Sequence, residues 1–129
     1  IPGGPQIEKT ARNGDPNSFK LPKPMYKSKN PNFSFSGLKT AFSQTVLKSN
    51  LTKTSIQDLS ASIQKTISDC LVDRTRISLQ SFKEIIGPDL QTQLVVAGGV
   101  ASNTFIRQAL EKLAMENDAV FIAPPINLC

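Results

Sequence analysis

Leu94-Val95-Val96-Ala97-Gly98-Gly99-Val100-Ala101-Ser102-Asn103 runs an apolar segment into two glycines and then into a helical pattern. A junction of this kind brings bare backbone N–H groups and the positive end of a helix up to an anion or a nucleotide. A paired-glycine turn also closes many strands for steric reasons alone, so both readings stand. A second glycine turn, Pro2-Gly3-Gly4-Pro5, opens the chain, and the acidic side chain of Glu8 follows it closely. The absence of His rules out a His-dependent nucleophile or base within these 129 residues.

The length suits one ordinary domain and is too short for two well-built cores. Apolar residues make up 39% of the chain, enough for a packed interior. Charge is uneven. Residues 1–53 carry nine Lys or Arg against Glu8 and Asp15, whereas residues 54–129 carry six basic and eight acidic residues. A basic half can steer a polyanion, or it can be a lysine-rich solvated surface. No aromatics interleave with the lysines as a base-stacking platform requires. Cys70 and Cys129 are the only cysteines, so no disulfide framework and no Cys-based metal site is expected. Cys70 falls among helical apolar positions and reads as a core thiol. No run is long and apolar enough to span a membrane, and no signal peptide is evident. The chain opens on Ile1 rather than Met and stops directly after an apolar strand and Pro124-Pro125, so it is expected to be a piece of a larger protein, a single incomplete domain over residues 1–129.

The elements that must position the glycine turns follow from spacing. Residues 1–32 read as a glycine turn, a short helix over 6–13 with Ile7 and Ala11 on one side, and a basic loop. Pro5 fits that helix's start and Gly14 its end. The loop is expected to be pinned by Phe19, Leu21 and Met25. Residues 33–93 hold a short strand, Phe33-Ser34-Phe35-Ser36, and two helices. The first covers 38–47. The second runs from a capping box, Ser55-x-x-Asp58, to about Phe82, with Ile56, Leu59, Ile63, Ile67, Cys70 and Leu71 on one buried side. Residues 94–123 form a βαβ unit: strand 94–97, covered on both faces, helix 101–116, a break at Asn117-Asp118, and strand 119–123. The fold class is α/β.

Four blocks now occur in order: Pro2-Gly3-Gly4-Pro5-x-Ile7-Glu8-Lys9, Phe33-Ser34-Phe35-Ser36-Gly37-Leu38-Lys39-Thr40-Ala41, Val96-Ala97-Gly98-Gly99-Val100-Ala101-x-Asn103, and Pro124-Pro125-x-x-Leu128-Cys129. They resemble the tRNA N6-adenosine threonylcarbamoyltransferase family, formerly the O-sialoglycoprotein endopeptidases. The second block is similar to the bacterial and mitochondrial branch. The resemblance implies a fragment of the actin/hexokinase/Hsp70-like (ASKHA) two-lobed fold, mostly its second lobe. It also implies an activity: transfer of the threonylcarbamoyl group from threonylcarbamoyl-AMP to N6 of adenosine 37 in tRNAs that read ANN codons.

By the same resemblance Gly4 approaches the nucleotide closely, and Glu8 accepts hydrogen bonds from the ribose hydroxyls, a task for which a carboxylate offers two acceptors. The bland alternative makes Glu8 a first-turn residue favouring its own helix dipole. Gly98 and Gly99 let the backbone pass beside the nucleotide, and Asn103 presents its amide to adenine or ribose, unless it simply caps a helix. Ser34, Ser36 and Lys39 are placed near the interlobe cleft, without a role; a nucleophilic Ser finds no base within sequence reach. No catalytic residue is assigned.

The family holds one divalent metal ion with an upstream His-x-x-x-His and an aspartate just after the Leu-Cys motif. Neither lies in this sequence, so no metal site is expected here and the stretch alone is expected to be inactive. The implied partners are tRNA and a threonylcarbamoyl-AMP synthase, with a homodimer if mitochondrial, or a paralogous subunit and an ATPase if bacterial, and no membrane. The branch and the basic charge favour the mitochondrial matrix, with the bacterial cytoplasm as the alternative. The competing reading is a non-catalytic nucleotide-binding or scaffold module of the ASKHA superfamily. A metalloprotease finds no His-Glu-x-x-His. Marginal stability is expected, with exposed apolar surface at strand Ala119–Ala123 and at the face that the absent lobe contacts.

Overall fold

A computed structural model describes residues 4–21 and 53–125. In chain order the elements are α1 (Gly4–Ala11), α2 (Lys53–Ile86), β1 (Thr92–Val95), the short α3 (Gly99–Ser102), α4 (Thr104–Glu116) and β2 (Ala119–Ile122). The strand expected at 33–36, the helix expected over 38–47 and Met25 lie outside the described residues.

α1 sits two residues earlier than the 6–13 that spacing predicts. Pro5 is tolerated in the first turn, where a backbone N–H has no helical partner to lose. After Ala11 the chain turns, and the Gly14 N–H donates to the Ala11 carbonyl at 3.0 Å. Gly14 serves a different purpose from the helix end expected of it. A Cβ there would stand 1.9 Å from the carbonyl oxygen of Gln57, so the two backbones approach where only glycine fits. The following loop is stitched onto α2. The Asp15 N–H donates to Asp58 Oδ1 at 2.8 Å, and the Ser62 hydroxyl accepts from the Phe19 N–H at 3.2 Å. Phe19 and buried Leu21 pack with Leu59, Ile63 and Ile67, as the sequence predicts for the first two.

α2 departs from expectation at both ends. It begins at Lys53, so Ser55 lies inside the helix, and the Asp58 carboxylate is engaged by Asp15 rather than by a capping box. It continues to Ile86, where the Gly87 N–H closes on the Lys83 carbonyl at 3.0 Å. At 34 residues it is about 50 Å long. Residues 59–64 are buried without interruption. Six consecutive residues cover more than a full turn, so this part of the helix has no solvent side and the single buried stripe is corrected. Both α1 and α4 pack against α2. Further along, buried Asp73 binds Arg74 Nη2 through Oδ2 and Arg76 Nη2 through Oδ1, each at 2.5 Å.

β1 and β2 pair in parallel, Thr92 opposite Ala119 through Val95 opposite Ile122, with α4 as part of the crossover. The Val96 N–H extends the ladder to the Ile122 carbonyl at 2.9 Å. The βαβ reading therefore holds, and the class is α/β. Leu79, Val96, Ala101, Ile106, Leu110 and Leu113 form the core, with Leu94, Phe121 and Ile67 packed against it. Each fully buried Leu or Ile there contributes about 1.5–3 kcal/mol.

Two expectations about this unit are corrected. β1 starts at Thr92, and it is not covered on both faces: Val95 is 66% exposed. A period of two puts Thr92, Leu94 and Val96 inward and Gln93 and Val95 outward. Their β2 partners Val120 and Ile122 are exposed too, in agreement with the apolar surface expected on that strand. The single helix over 101–116 is instead two, because Asn103 adopts extended backbone angles, φ −78° and ψ 113°, between α3 and α4. Asn117-Asp118 ends α4 as predicted. Asp118 takes a positive φ of 52°, and the Asn117 side chain donates to the Leu113 carbonyl at 2.9 Å. Lys83 reaches across from α2 to donate to the Asn117 carbonyl.

Candidate functional site

β1 feeds into the glycine pair, and Gly98 takes φ +74°, a conformation that costs an L-residue with a Cβ and costs glycine nothing. Its carbonyl accepts from the Ala101 N–H at 3.0 Å, which starts the short α3. A Cβ on Gly99 would meet nothing within 4 Å, so no neighbour in the protein requires glycine there. α3 ends at Ser102, whose hydroxyl donates back to the Gly99 carbonyl at 2.7 Å.

Asn103 then starts α4. Its carbonyl accepts from the Arg107 N–H at 2.9 Å, and its Oδ1 accepts from the Ile106 N–H at 3.0 Å. This is an N-cap, satisfying a donor that the helix itself cannot. The other end of the same amide, Nδ2, donates to Gln64 Oε1 in α2 at 3.0 Å. Glu8 comes from α1, ninety-six positions away, and its Oε2 accepts from the Thr104 N–H at 3.0 Å. The bland alternative for Glu8 is corrected in its address: the carboxylate lies beyond the first turn of α1 and faces the positive end of α4 instead. Three elements thus converge on one helix start.

Beside this junction lies a cavity of about 420 Å³, walled by Glu8, Arg12, Gln64, Thr104, Phe105 and Gln108 among others. Its polar groups are a carboxylate, a guanidinium, two amides and the Thr104 hydroxyl, with the half-exposed ring of Phe105 as the large apolar surface. Such a set offers donors, acceptors and a stacking face, and it offers no nucleophile paired with a base. Arg107, one turn into α4, donates through Nη1 to the Ala101 carbonyl at 3.1 Å and to the Pro124 carbonyl at 2.7 Å. It ties α3 to the chain leaving β2.

The structure brings Glu8 and Asn103 to the first turn of α4. Gly4 begins α1, one turn ahead of Glu8, and Gly98 and Gly99 precede α4 by one short helix. Ser34, Ser36 and Lys39 lie outside the described residues. Sequence reasoning missed Gln64, Arg12, Phe105 and Arg107. For Gln64 a signal existed: a long polar side chain inside a helical stretch otherwise spaced as core. Its partner, thirty-nine positions away, left no trace.

Among the described residues no three or more His, Cys, Asp or Glu come together as a metal site. With no His anywhere in the sequence, the described residues do not fit the divalent ion that the resemblance implies. Among the same residues no helix is long and apolar enough to cross a membrane.

A family model described as tRNA N6-adenosine threonylcarbamoyltransferase matches residues 1–129. Proteins bearing that name are similar to this chain in Rhodospirillum rubrum (47% identity), Methylobacterium sp. (45%) and Brucella suis (48%). Each alignment covers 99% of this chain and 36% of the relative. The chain therefore spans about a third of the length of the curated relatives it matches. All three come from bacteria, which overturns the mitochondrial expectation in favour of the bacterial one.

Proposed function

We propose, because this chain belongs to the tRNA N6-adenosine threonylcarbamoyltransferase family, that its full-length parent carries out t6A formation and that these residues hold the nucleoside part of the donor. In that reaction the N6 amine of adenosine 37 attacks the carbamoyl carbon of threonylcarbamoyl-AMP. The bond to the phosphate oxygen breaks, AMP leaves, and the amine gives up its proton. The observation that supports the assignment is that Glu8 and Gln64 wall one cavity at the start of α4, with Asn103 hydrogen-bonded to Gln64 and Glu8 to the Thr104 N–H.

On this reading Glu8 keeps one carboxylate oxygen on the Thr104 N–H and offers the other to the ribose diol. Gly98 and Gly99 leave room for the ligand along the backbone, as does Gly4 at the start of α1. Asn103 directs its amide toward the adenosine side of the cavity. The stretch binds and orients; the metal and the reacting geometry come from the rest of the parent. The wider architecture belongs to the proposal as well: an ASKHA second lobe, with 1–32, 33–93 and 94–123 as its parts, with Ser34, Ser36 and Lys39 toward the cleft. The partners are tRNA, the synthase that makes the donor, and the paralogous subunit and ATPase of bacterial systems.

One observation favours a second reading, a non-catalytic nucleotide-binding or scaffold module. Glu8 and both ends of the Asn103 amide are already used within the protein to secure α4. The two readings separate in a reconstitution of the full-length parent with its bacterial partners, tRNA, the synthase, radiolabelled threonine, bicarbonate and ATP. Label in tRNA with the parent, and none with residues 1–129 alone, is the expected result. No label with the parent, beside an active reference enzyme, would favour the scaffold.

A further inference from the structure

We infer that Gln64 is a specificity-determining residue of this cavity, donating a hydrogen bond from its side-chain NH2 to an acceptor atom of the bound adenosine moiety. The inference rests on the nucleoside-binding reading above and begins from a group that cannot be turned around. The backbone N–H of Ile106 is only a donor, so the Asn103 amide must present Oδ1 to it. The same amide must then present Nδ2 to Gln64, and Gln64 must answer with Oε1, at 3.0 Å. Each orientation follows from the previous one, and the helix backbone anchors the series.

The oxygen of Gln64 is therefore committed, and the group left over is the NH2, a donor with no acceptor capacity. Gln64 is only 9% exposed and lines the cavity. Among the described residues no acceptor meets that NH2. None of their side-chain polar atoms is both fully enclosed and unpartnered, so the NH2 keeps some accessible surface, and its residue walls the cavity. A nearly buried donor of such a residue is matched when a ligand acceptor arrives. Adenosine carries such acceptors in its purine ring nitrogens and ribose oxygens. A ligand that places N–H at the same spot sets donor against donor and is rejected.

The fixed orientation gives a test that separates support of Asn103 from contact with ligand. Adenosine, an uncharged probe, is titrated calorimetrically into the full-length parent and two variants at about pH 8, where a carboxylate is ionised. Gln64→Glu keeps an oxygen for Asn103 and removes the donor. It is expected to melt with the wild type and to bind adenosine about tenfold more weakly. Gln64→Met removes both and is expected to lose melting temperature as well as affinity. Wild-type affinity in Gln64→Glu would overturn the inference. Should that variant fail to fold, adenosine analogues lacking one ring nitrogen or one ribose oxygen decide the matter. One analogue must lose affinity on the wild type and lose nothing further on Gln64→Met; equal affinity for all of them would also overturn it. A wild-type parent that binds no adenosine would defeat the nucleoside reading itself, an outcome distinct from wild-type binding retained by the variant.

Discussion

At the start of α4, Glu8, Gln64 and Asn103 arrive from three places in the chain: Glu8 accepts from the Thr104 N–H, and Asn103 accepts from the Ile106 N–H and donates to Gln64, each at 3.0 Å. On the outer face of the sheet, Val95, Val120 and Ile122 lie side by side and stand exposed. In the first region the Ile106 N–H fixes the Asn103 amide and that amide fixes Gln64, which leaves one donor of Gln64 for a ligand. The second is an apolar surface of a kind that soluble proteins usually cover. The polar cluster is thus set within this third of the relatives' length, while the sheet has one finished face. The contrast teaches that the residues at the start of α4 are preorganised by contacts inside this chain.

The contrast can be broken most severely at Gly14, which lets α1 and its loop sit on α2. Gly14→Ala drives a methyl into the Gln57 carbonyl and is expected to cost about 3 kcal/mol, read as a lowered urea midpoint. Next is Asn103→Ala, which removes the cap and leaves the Gln64 oxygen unmatched. A loss of about 2 kcal/mol is expected, with amide exchange quickened in the first turn of α4. A smaller effect tests whether Glu8 acts by charge or only by accepting. Glu8→Gln retains an acceptor for the Thr104 N–H and is expected to cost about 0.5 kcal/mol, an amount that shrinks with salt. A salt-independent loss would assign the effect to geometry alone. Smallest is Val95→Thr on the open face, expected to move the stability of the 129-residue chain by under about 0.5 kcal/mol. A loss several times larger would show that the face is covered after all.

How much of this could be read from the sequence depended on the range of the interaction. The parallel βαβ order, the core positions Ile106, Leu110 and Leu113, and the break at Asn117-Asp118 follow from local periodicity and turn chemistry, although the first strand starts at Thr92 and the helix is split at Asn103. Asn103 as a helix cap was legible for the same reason. The alternative reading of Glu8, at the dipole of its own helix, rests on proximity in sequence; the partner of its carboxylate lies in another helix. The Ser55 capping box failed because Asp58 had a better partner in Asp15, forty-three positions away. The strand was taken as covered on both faces because a run of Leu94, Val95, Val96 and Ala97 carries no alternation to distinguish inside from outside. Gln64 left half a signal: a polar side chain among core positions marks it, but its partner Asn103 is thirty-nine positions away.

Binding of AMP to the full-length parent and to its Asn103→Ala variant tests the central claim most directly, with melting curves run in parallel. The account predicts that the wild type binds and that the variant, still folded, binds at least about tenfold more weakly. A folded variant that binds AMP as well as the wild type would contradict it, and would leave the cluster at α4 as a helix cap with no part in holding the nucleotide.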